Sequence, residues 1–195
     1  LAVVKSLYTD SFAHGSAILQ MNTGQILQGH PSMGAWVLYA RGSANPDLPG
    51  FVVMLDPRGG PISGPPNWAS GYMPASYQGT LFRSSGDPLL DLAPAPTGSA
   101  RSQMSREMQL AQVELIRELD AMHAADREGY SELAARSDSY RMAYRMQETA
   151  VEALDVRSES AETRAMYGLG LPAGDHSLSI GPAPFGRQCL IARRL

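Results

Sequence analysis

The uneven distribution of glycine and proline most constrains how this chain can fold. Gly or Pro interrupts residues 57–98 throughout, so no long helix or strand fits there. Residues 99–167, in contrast, contain no Pro and a single glycine, Gly129. This contrast divides the chain into four parts of one incomplete domain. They are 1–56, 57–98, 99–167 and 168–195.

The first part has α/β character. "AVVKSL" (2–7) is β-branched and predicts a buried strand, and "GFVVMLD" (50–56) predicts a second strand with both faces covered. Between them, "GSAILQMNTG" (15–24) and "PSMGAWVLYARG" (31–42) predict two short helices that end at their glycines. Strand, helices and strand in this order are typical of a parallel crossover unit.

The Gly/Pro-rich part carries side chains that pack, unlike a disordered linker. These are Trp68, Tyr72, Met73, Tyr77, Leu81 and Phe82. We therefore expect an ordered loop. A loop that covers a binding site is an equally good interpretation, because long ordered loops are often functional.

The part without proline predicts an antiparallel helical hairpin. Apolar residues recur at spacings of three and four along its first helix, at Met104, Met108, Ala111, Leu115, Leu119 and Met122. The second helix begins after Gly129 with Ser131 as its N-cap. Its apolar face contains Leu133, Tyr140, Tyr144, Val151 and Leu154. We expect both stripes to form core.

Two further helices follow the hairpin. A short one runs from Ser160 to Tyr167 and ends at Gly168, and a final one begins at Phe185 and reaches Leu195. The chain begins inside an apolar run and stops inside this last helix. We therefore expect it to be an internal piece of a longer protein, whose remaining chain would be its first partner.

Composition excludes several function classes. Apolar residues make up 44% and charged residues 18%, as in a globular protein, and the net charge is −3. This charge gives no electrostatic basis for binding nucleic acid or an anionic membrane. No apolar run approaches the ~20 residues that span a bilayer. Cys189 is the only cysteine, so no internal disulfide can form.

His14 and Ser16 are the first candidate site residues. They lie at the predicted start of a helix that follows a strand, where free N–H groups attract phosphate or sulfate. His14 would then act as an acid, base, nucleophile or metal ligand. The alternative is structural: Asp10, Ser11 or Ser16 caps the helix, and His14 is a polar residue in the turn.

Asp56 and Trp68 are candidates for substrate binding. Asp56 ends the strand "GFVVMLD", and ligands of α/β sheets bind beyond such strand ends; alternatively, it forms a turn before Pro57. The rings of Trp68, Tyr72 and Tyr77 suit stacking on sugars, although packing is the more common use of such residues.

The remaining histidines do not indicate a metal site by their spacing. His30, His123 and His176 are too far apart in the sequence for a zinc pattern, and "GDHS" at 174–177 fits an Asx turn better than a metal pair.

Several long strings in this order resemble a known family. They are "MNTG", "HPSMGAWVLYARGSANPDLPGFVVMLDP", "NWASGYMPASYQGTLFR" and "FGRQCLIARRL". They resemble the bacterial domain-of-unknown-function family 1501 over essentially the whole chain. That family is similar to sulfatases and to the alkaline-phosphatase superfamily.

The resemblance implies an α/β sandwich with a mostly parallel sheet. This chain would form part of that sandwich, with the helical hairpin inserted and a long Gly/Pro-rich loop. It also implies export, and hydrolysis of phosphate or sulfate esters with divalent metal ions held by Asp and His. The family's Ser-His-x-Asp motif would precede Leu1, and its Asp-x-His and Gly-Arg-Asp-His motifs would follow Leu195. We therefore expect no metal site within this chain and no catalysis by it alone.

The same resemblance singles out His14. Sulfatases have Cys or Ser as the nucleophile in a Cys-x-Pro-Ser-Arg motif, with a Thr-Gly whose threonine lies nine positions further on. Thr23 and Gly24 match that pair, which places His14 at the nucleophile position, while Ala17 and Ile18 replace Ser and Arg. A histidine can accept a phosphoryl group or bind metal. The alternative is a non-catalytic binding or surface protein on the same fold.

Overall fold

A computed structural model describes residues 2–84, 86–89, 105–127, 129–172 and 181–195. Six α-helices and two short strands lie in these ranges. They are α1 (His14–Thr23), α2 (Met33–Arg41), β1 (Val52–Met54), β2 (Thr80–Phe82), α3 (Arg106–Ala125), α4 (Ser131–Leu154), α5 (Ala161–Met166) and α6 (Ala183–Arg194). Short 3₁₀ turns at Pro65–Trp68, Ala75–Tyr77 and Val156–Ser158 connect them. The described part of the chain is thus mixed α/β and mostly helical.

The two short N-terminal helices form where the sequence predicts them. α1 ends at Gly24, whose φ of 78° is a left-handed conformation that suits glycine. α2 begins after Ser32, whose side chain accepts a hydrogen bond from the Ala35 N–H, and ends at Gly42. Both helices are therefore bounded by the residues that favour such ends.

The predicted crossover unit is wrong in its first strand. Residues 2–7 form no strand, and Val3, Val4 and Leu7 are exposed. β1 pairs in parallel with β2 instead, with Val52 opposite Thr80, Val53 opposite Leu81 and Met54 opposite Phe82. The partner of β1 thus comes from the Gly/Pro-rich part, and loop and 3₁₀ turns make the crossover.

The sheet is also less covered than expected. Val52, Val53 and Met54 are half-buried rather than enclosed on both faces. Only this two-stranded sheet is present among the described residues. The alkaline-phosphatase-like sandwich therefore stays a proposal.

The helical hairpin is confirmed as antiparallel. The Tyr144 hydroxyl, late in α4, donates a hydrogen bond to the Arg106 carbonyl at the start of α3 (3.4 Å). Ser131 is the first helical residue of α4 rather than its N-cap. Its hydroxyl instead accepts a hydrogen bond from the Ala75 N–H (3.2 Å), which joins α4 to the loop.

The predicted apolar face of α3 is not core. Met104 lies outside the described residues, and Met108, Ala111, Leu115, Leu119 and Met122 are exposed. The half-buried positions of α3 include Val113 and Asp120. At about 100° per residue, the apolar stripe lies on the far side of the helix from them. The periodicity therefore identifies a helix with an apolar face that no described residue covers.

The core lies between the sheet, the second half of α4 and α6. Its buried residues are Leu48, Phe82, Met146, Ala150, Leu154, Val156, Leu190 and Ile191. Of the stripe predicted for α4, Leu154 alone belongs to this core, because Leu133 and Tyr144 are half-buried and Tyr140 and Val151 are exposed. The α4 residues that form core follow Met146, Ala150 and Leu154, a spacing of four on one helix face.

The last two predicted helices are confirmed. Ser160 caps α5 by accepting a hydrogen bond from the Thr163 N–H, and Gly168 follows it with a φ of 70°. α6 begins at Ala183, two residues before the predicted start. It contributes the fully buried side chains of Leu190 and Ile191.

Candidate functional site

The start of α1 is the first candidate site. His14 is the first residue of the helix and is exposed, and Ser16 is half-buried in the same turn. No side chain caps this helix: Ala13 occupies the N-cap position, and no acidic residue lies in the first turn. The positive end of the helix is therefore not compensated by a side chain of its own.

The capping alternative for this stretch is not realised. Asp10 instead pairs with Gln20, accepting from its side-chain amide (2.8 Å) and donating its backbone N–H to the amide oxygen (2.9 Å). The Ser11 hydroxyl accepts a hydrogen bond from the Ala13 N–H (3.1 Å). This contact forms a turn before the helix and does not cap it.

Ser63 is a neighbour of this turn that sequence reasoning missed. A Cβ placed on Gly15 would lie only 2.9 Å from the Ser63 Oγ, so the glycine permits this close approach. The two hydroxyls of Ser16 and Ser63 thus lie near one end of α1. Nothing in the pattern around "PISG" indicates this contact, because it depends on how the loop packs.

Asp56 lies at the carboxyl end of β1, as predicted, and forms a turn as well. Its carbonyl accepts the Gly59 N–H (2.9 Å). Its carboxylate accepts the Arg58 backbone N–H (2.8 Å) and two guanidinium N–H groups (2.9 and 2.7 Å). Both interpretations of this residue, strand-end position and turn former, describe its geometry.

The Arg58 guanidinium controls the charge of this site. Its hydrogen bonds to the carboxylate lower the pKa of Asp56 from 3.8 to about 2, and the same pair raises the pKa of Arg58. Asp56 is therefore ionised at every physiological pH. The pair is solvent-exposed, so it fixes a local arrangement of charge more than it stabilises the fold.

A cleft of about 450 Å³ opens beside this pair. Its lining includes Met54, Asp56, Arg58, Phe185 and Gln188. The Gln188 side-chain amide donates a hydrogen bond to the Leu55 carbonyl (2.6 Å), which fixes α6 against the end of β1. Sequence reasoning missed Gln188, since only the fold brings α6 to this strand end.

Trp68 is packed in the interior. It is 9% exposed, and its carbonyl accepts the Gly79 N–H (2.9 Å), so its ring fills space beneath the loop. The preceding Asn67 accepts a hydrogen bond from the Asn22 side chain (3.1 Å), which holds α1 on this 3₁₀ turn. This placement is the packing use of Trp68 that the sequence favours.

The predicted site residues do not converge on one point. α1 packs against the 3₁₀ turn that contains Trp68, whereas Asp56 lines a cleft with α6. Within the described part of the chain, none of His14, Ser16 and Trp68 lines that cleft. His176 and its neighbour Asp175 lie outside the described residues.

The donor set does not fit a metal cage on its own. Across the described ranges, no three His, Cys, Asp or Glu side chains lie close enough together to hold a metal ion. Asp56, the best-placed carboxylate, is engaged by Arg58. We therefore assign no metal-dependent step to these residues.

No helix in the described ranges is both long and apolar enough to cross a membrane.

Comparison with known proteins gives one match. No curated protein and no solved structure matches the chain. The model of a family described as "Protein of unknown function (DUF1501)" matches residues 1–195, the entire chain. The chain therefore belongs to the DUF1501 family.

Proposed function

We propose that this chain forms part of an exported, metal-dependent hydrolase of phosphate or sulfate esters, with His14 at its reaction centre. The observation that supports this proposal is the start of α1, where an exposed histidine lies at a helix N-terminus that no side chain caps. Helix N-termini with uncompensated N–H groups attract anionic ester groups. The divalent metal would take its ligands from the parent chain.

The residues at this turn have complementary roles in the proposed reaction. The N–H groups of the first turn bind the oxygens of the ester, and the Ser16 hydroxyl adds a polar contact. For a phosphate ester, an imidazole nitrogen of His14 attacks phosphorus. A P–N bond forms while the P–O bond to the alcohol breaks, and the departing alkoxide takes a proton from water. The hydroxide formed in this way then attacks phosphorus and breaks the P–N bond, which releases phosphate and restores the histidine.

Hydrolysis of p-nitrophenyl phosphate and p-nitrophenyl sulfate by the full-length parent, with added divalent metals, tests this proposal. We expect His14→Ala to lower kcat by at least about 100-fold, the usual contribution of a positioned acid, base or nucleophile. The matched control is His123→Ala, which removes an exposed histidine from α3 and should leave kcat unchanged. Equal activity of the two variants would remove His14 from the mechanism.

A non-catalytic binding protein on the same fold is the second candidate function. The exposed apolar stripe of α3 favours it, because solvent-exposed apolar faces of this kind are typical of interaction surfaces. The two functions differ in metal content. Metal analysis of the purified parent should find a divalent ion for the hydrolase, and a metal-free parent would favour the binding protein.

A further inference from the structure

Five aromatic rings form a continuous row on the surface of α2 and the loop beside it. In order, the aromatic row contains His30, Tyr72, Trp36, Tyr39 and Tyr77. Successive ring centroids are 5.9, 6.3, 6.2 and 5.4 Å apart, and every pair is edge-to-face. Rings in such contacts hold one another in place.

The backbone builds this row from three segments. α2 presents Trp36 and Tyr39 one turn apart. Gly71 lies so close to the chain at His30 that a Cβ there would be 2.4 Å from the His30 carbonyl carbon, and its φ is 59°. Glycine at this position therefore brings Tyr72 against the rings of His30 and Trp36.

The centre of the row is open to solvent. Tyr72 is 66% exposed, Tyr39 57% and Trp36 44%, while His30 and Tyr77 are half-buried at the ends. A cleft of about 540 Å³ adjoins Trp36, between α2 and the C-terminal end of α1. Its wall is mostly apolar, from Met33 and Val37, with Arg41 at its edge.

The chemistry of the rings indicates the ligand. Every member of the row carries an N–H or O–H group, so the surface has apolar faces and polar edges at once. An acyl chain or an apolar helix would leave those polar groups without partners. A sugar ring offers C–H faces for stacking and hydroxyls around its rim, which match this pattern.

We propose that the aromatic row and the adjoining cleft bind a neutral carbohydrate, with pyranose rings stacked on Trp36 and Tyr72. This site is independent of the proposed ester hydrolysis. His14 lies at the first residue of α1, and the α1 residues that line the cleft, Gln20–Thr23, lie about 9–14 Å further along the helix. Binding can therefore be lost without loss of hydrolysis, and hydrolysis without loss of binding.

The chain offers an internal reporter for this site. It contains two tryptophans, and Trp68 is 9% exposed whereas Trp36 is 44% exposed. Acrylamide quenching of the full chain therefore reports mainly on Trp36. We expect dextran, xylan, mannan or laminarin to protect Trp36 from quenching in a saturable manner.

Variants locate the binding surface. In affinity electrophoresis with the polysaccharide that protects Trp36, Trp36→Ala and Tyr72→Ala should each bind at least about tenfold more weakly. Trp36→Phe, which keeps an aromatic face, should retain most of the binding. Tyr130→Ala is the matched control, because Tyr130 is 65% exposed and lies outside the row. Circular dichroism checks that each variant is folded.

Three outcomes would overturn the proposal. One is that none of the four polysaccharides protects Trp36 or retards the chain. Another is that Trp36→Ala and Tyr130→Ala bind equally well. The third is that phosphatidylcholine vesicles, or a higher concentration of the chain itself, protect Trp36 while the polysaccharides do not. The row would then be a lipid surface or a contact between copies.

Discussion

At the scale of single residues, the pair of Asp56 and Arg58 gives a sharp test of the strand-end site. Because Arg58 lowers the pKa of Asp56 to about 2, the carboxylate should stay charged well into acid. A lowered pKa means that the pair's contribution is present above the ordinary pKa and is lost as pH falls towards 2.

NMR titration of the Asp56 carboxyl carbon measures this pKa. We expect a midpoint near pH 2 in the native chain and a return towards 3.8 in Arg58→Ala. Asp155, whose pKa is lowered by hydrogen bonds from Arg157, serves as a reference carboxylate within the same spectra, and Arg58→Ala should leave its titration unchanged. A native midpoint for Asp56 near 3.8 would show that the guanidinium does not hold this carboxylate in solution.

Phe82 and Leu81 are neighbours in β2 that face opposite environments. Phe82 is fully buried in the core, and Leu81 is 47% exposed. Phe82→Ala should cost about 3–5 kcal/mol of unfolding free energy, because it leaves a cavity among tightly packed side chains. Leu81→Ala, the control in the same strand, should cost less than about 1 kcal/mol. Urea denaturation of both variants, made in the longer protein that we propose contains this chain, compares them, and similar midpoints would contradict this core assignment.

At the scale of secondary structure, the helices and the strand β1 were predictable from sequence, whereas the partner of β1 in the sheet was not. A helix satisfies its hydrogen bonds within its own segment, so Ser32, Gly24 and Ser160 mark helix ends locally. A strand depends on a distant partner. Residues 2–7 have a strand-like composition but no strand to pair with among the described residues. The three-residue β2, in contrast, lies in a part whose sequence predicts a loop.

The candidate sites show the same division between local and distant information. His14 at the start of a helix and Asp56 at a strand end follow from neighbouring residues. Ser63 and Gln188 reach these sites only through tertiary packing, and no periodicity or motif in the sequence predicts them. The apolar stripe of α3 belongs with them, because periodicity identifies a face and says nothing of what covers it.

Glu159 joins α6 to the chain just before α5. Its carboxylate accepts hydrogen bonds from Arg193 and Arg194, each at 2.6 Å, and its side chain is 13% exposed. The two guanidinium groups, Arg194 first, lower the pKa of Glu159. The contribution of this carboxylate is therefore present above its ordinary pKa of 4.5 and is lost as pH falls below it.

Replacing Glu159 by Gln should loosen α6 at neutral pH. We expect a lower Tm for Glu159→Gln at pH 7, and a difference from the native chain that narrows as the buffer is made acidic. Glu118→Gln, on the exposed part of α3, is the control and should leave the Tm unchanged at both pH values. A difference that stays constant with pH would mean that packing, not charge, accounts for the effect.

At the scale of the whole molecule, much apolar surface faces solvent. Val3, Phe12, Leu27, Met122 and Phe185 are all more than 65% exposed. Solvent-exposed side chains of this kind contribute little of the burial that stabilises a fold. We therefore expect the 195-residue chain by itself to be only marginally stable.

Calorimetry and dye binding test this expectation. The isolated chain should bind 8-anilinonaphthalene-1-sulfonate before it melts and should unfold in a broad transition with a midpoint below about 45 °C. The longer protein that we propose contains this chain is the comparison under the same conditions. A single sharp transition of the isolated chain above about 65 °C, without dye binding, would show that it is a stable domain by itself.

The sequence separation of the core residues also determines the order in which parts of the chain fold. The α3–α4 hairpin joins neighbouring segments, and its helices can form within microseconds. The core, however, brings Leu48 and Phe82 together with Met146, and these three together with Leu190 and Ile191. Loops of about 100 residues must therefore close before this core can form. During synthesis this core is therefore complete only after residue 191 has left the ribosome, and before that point a chaperone has access to the side chains that Leu190 and Ile191 later cover.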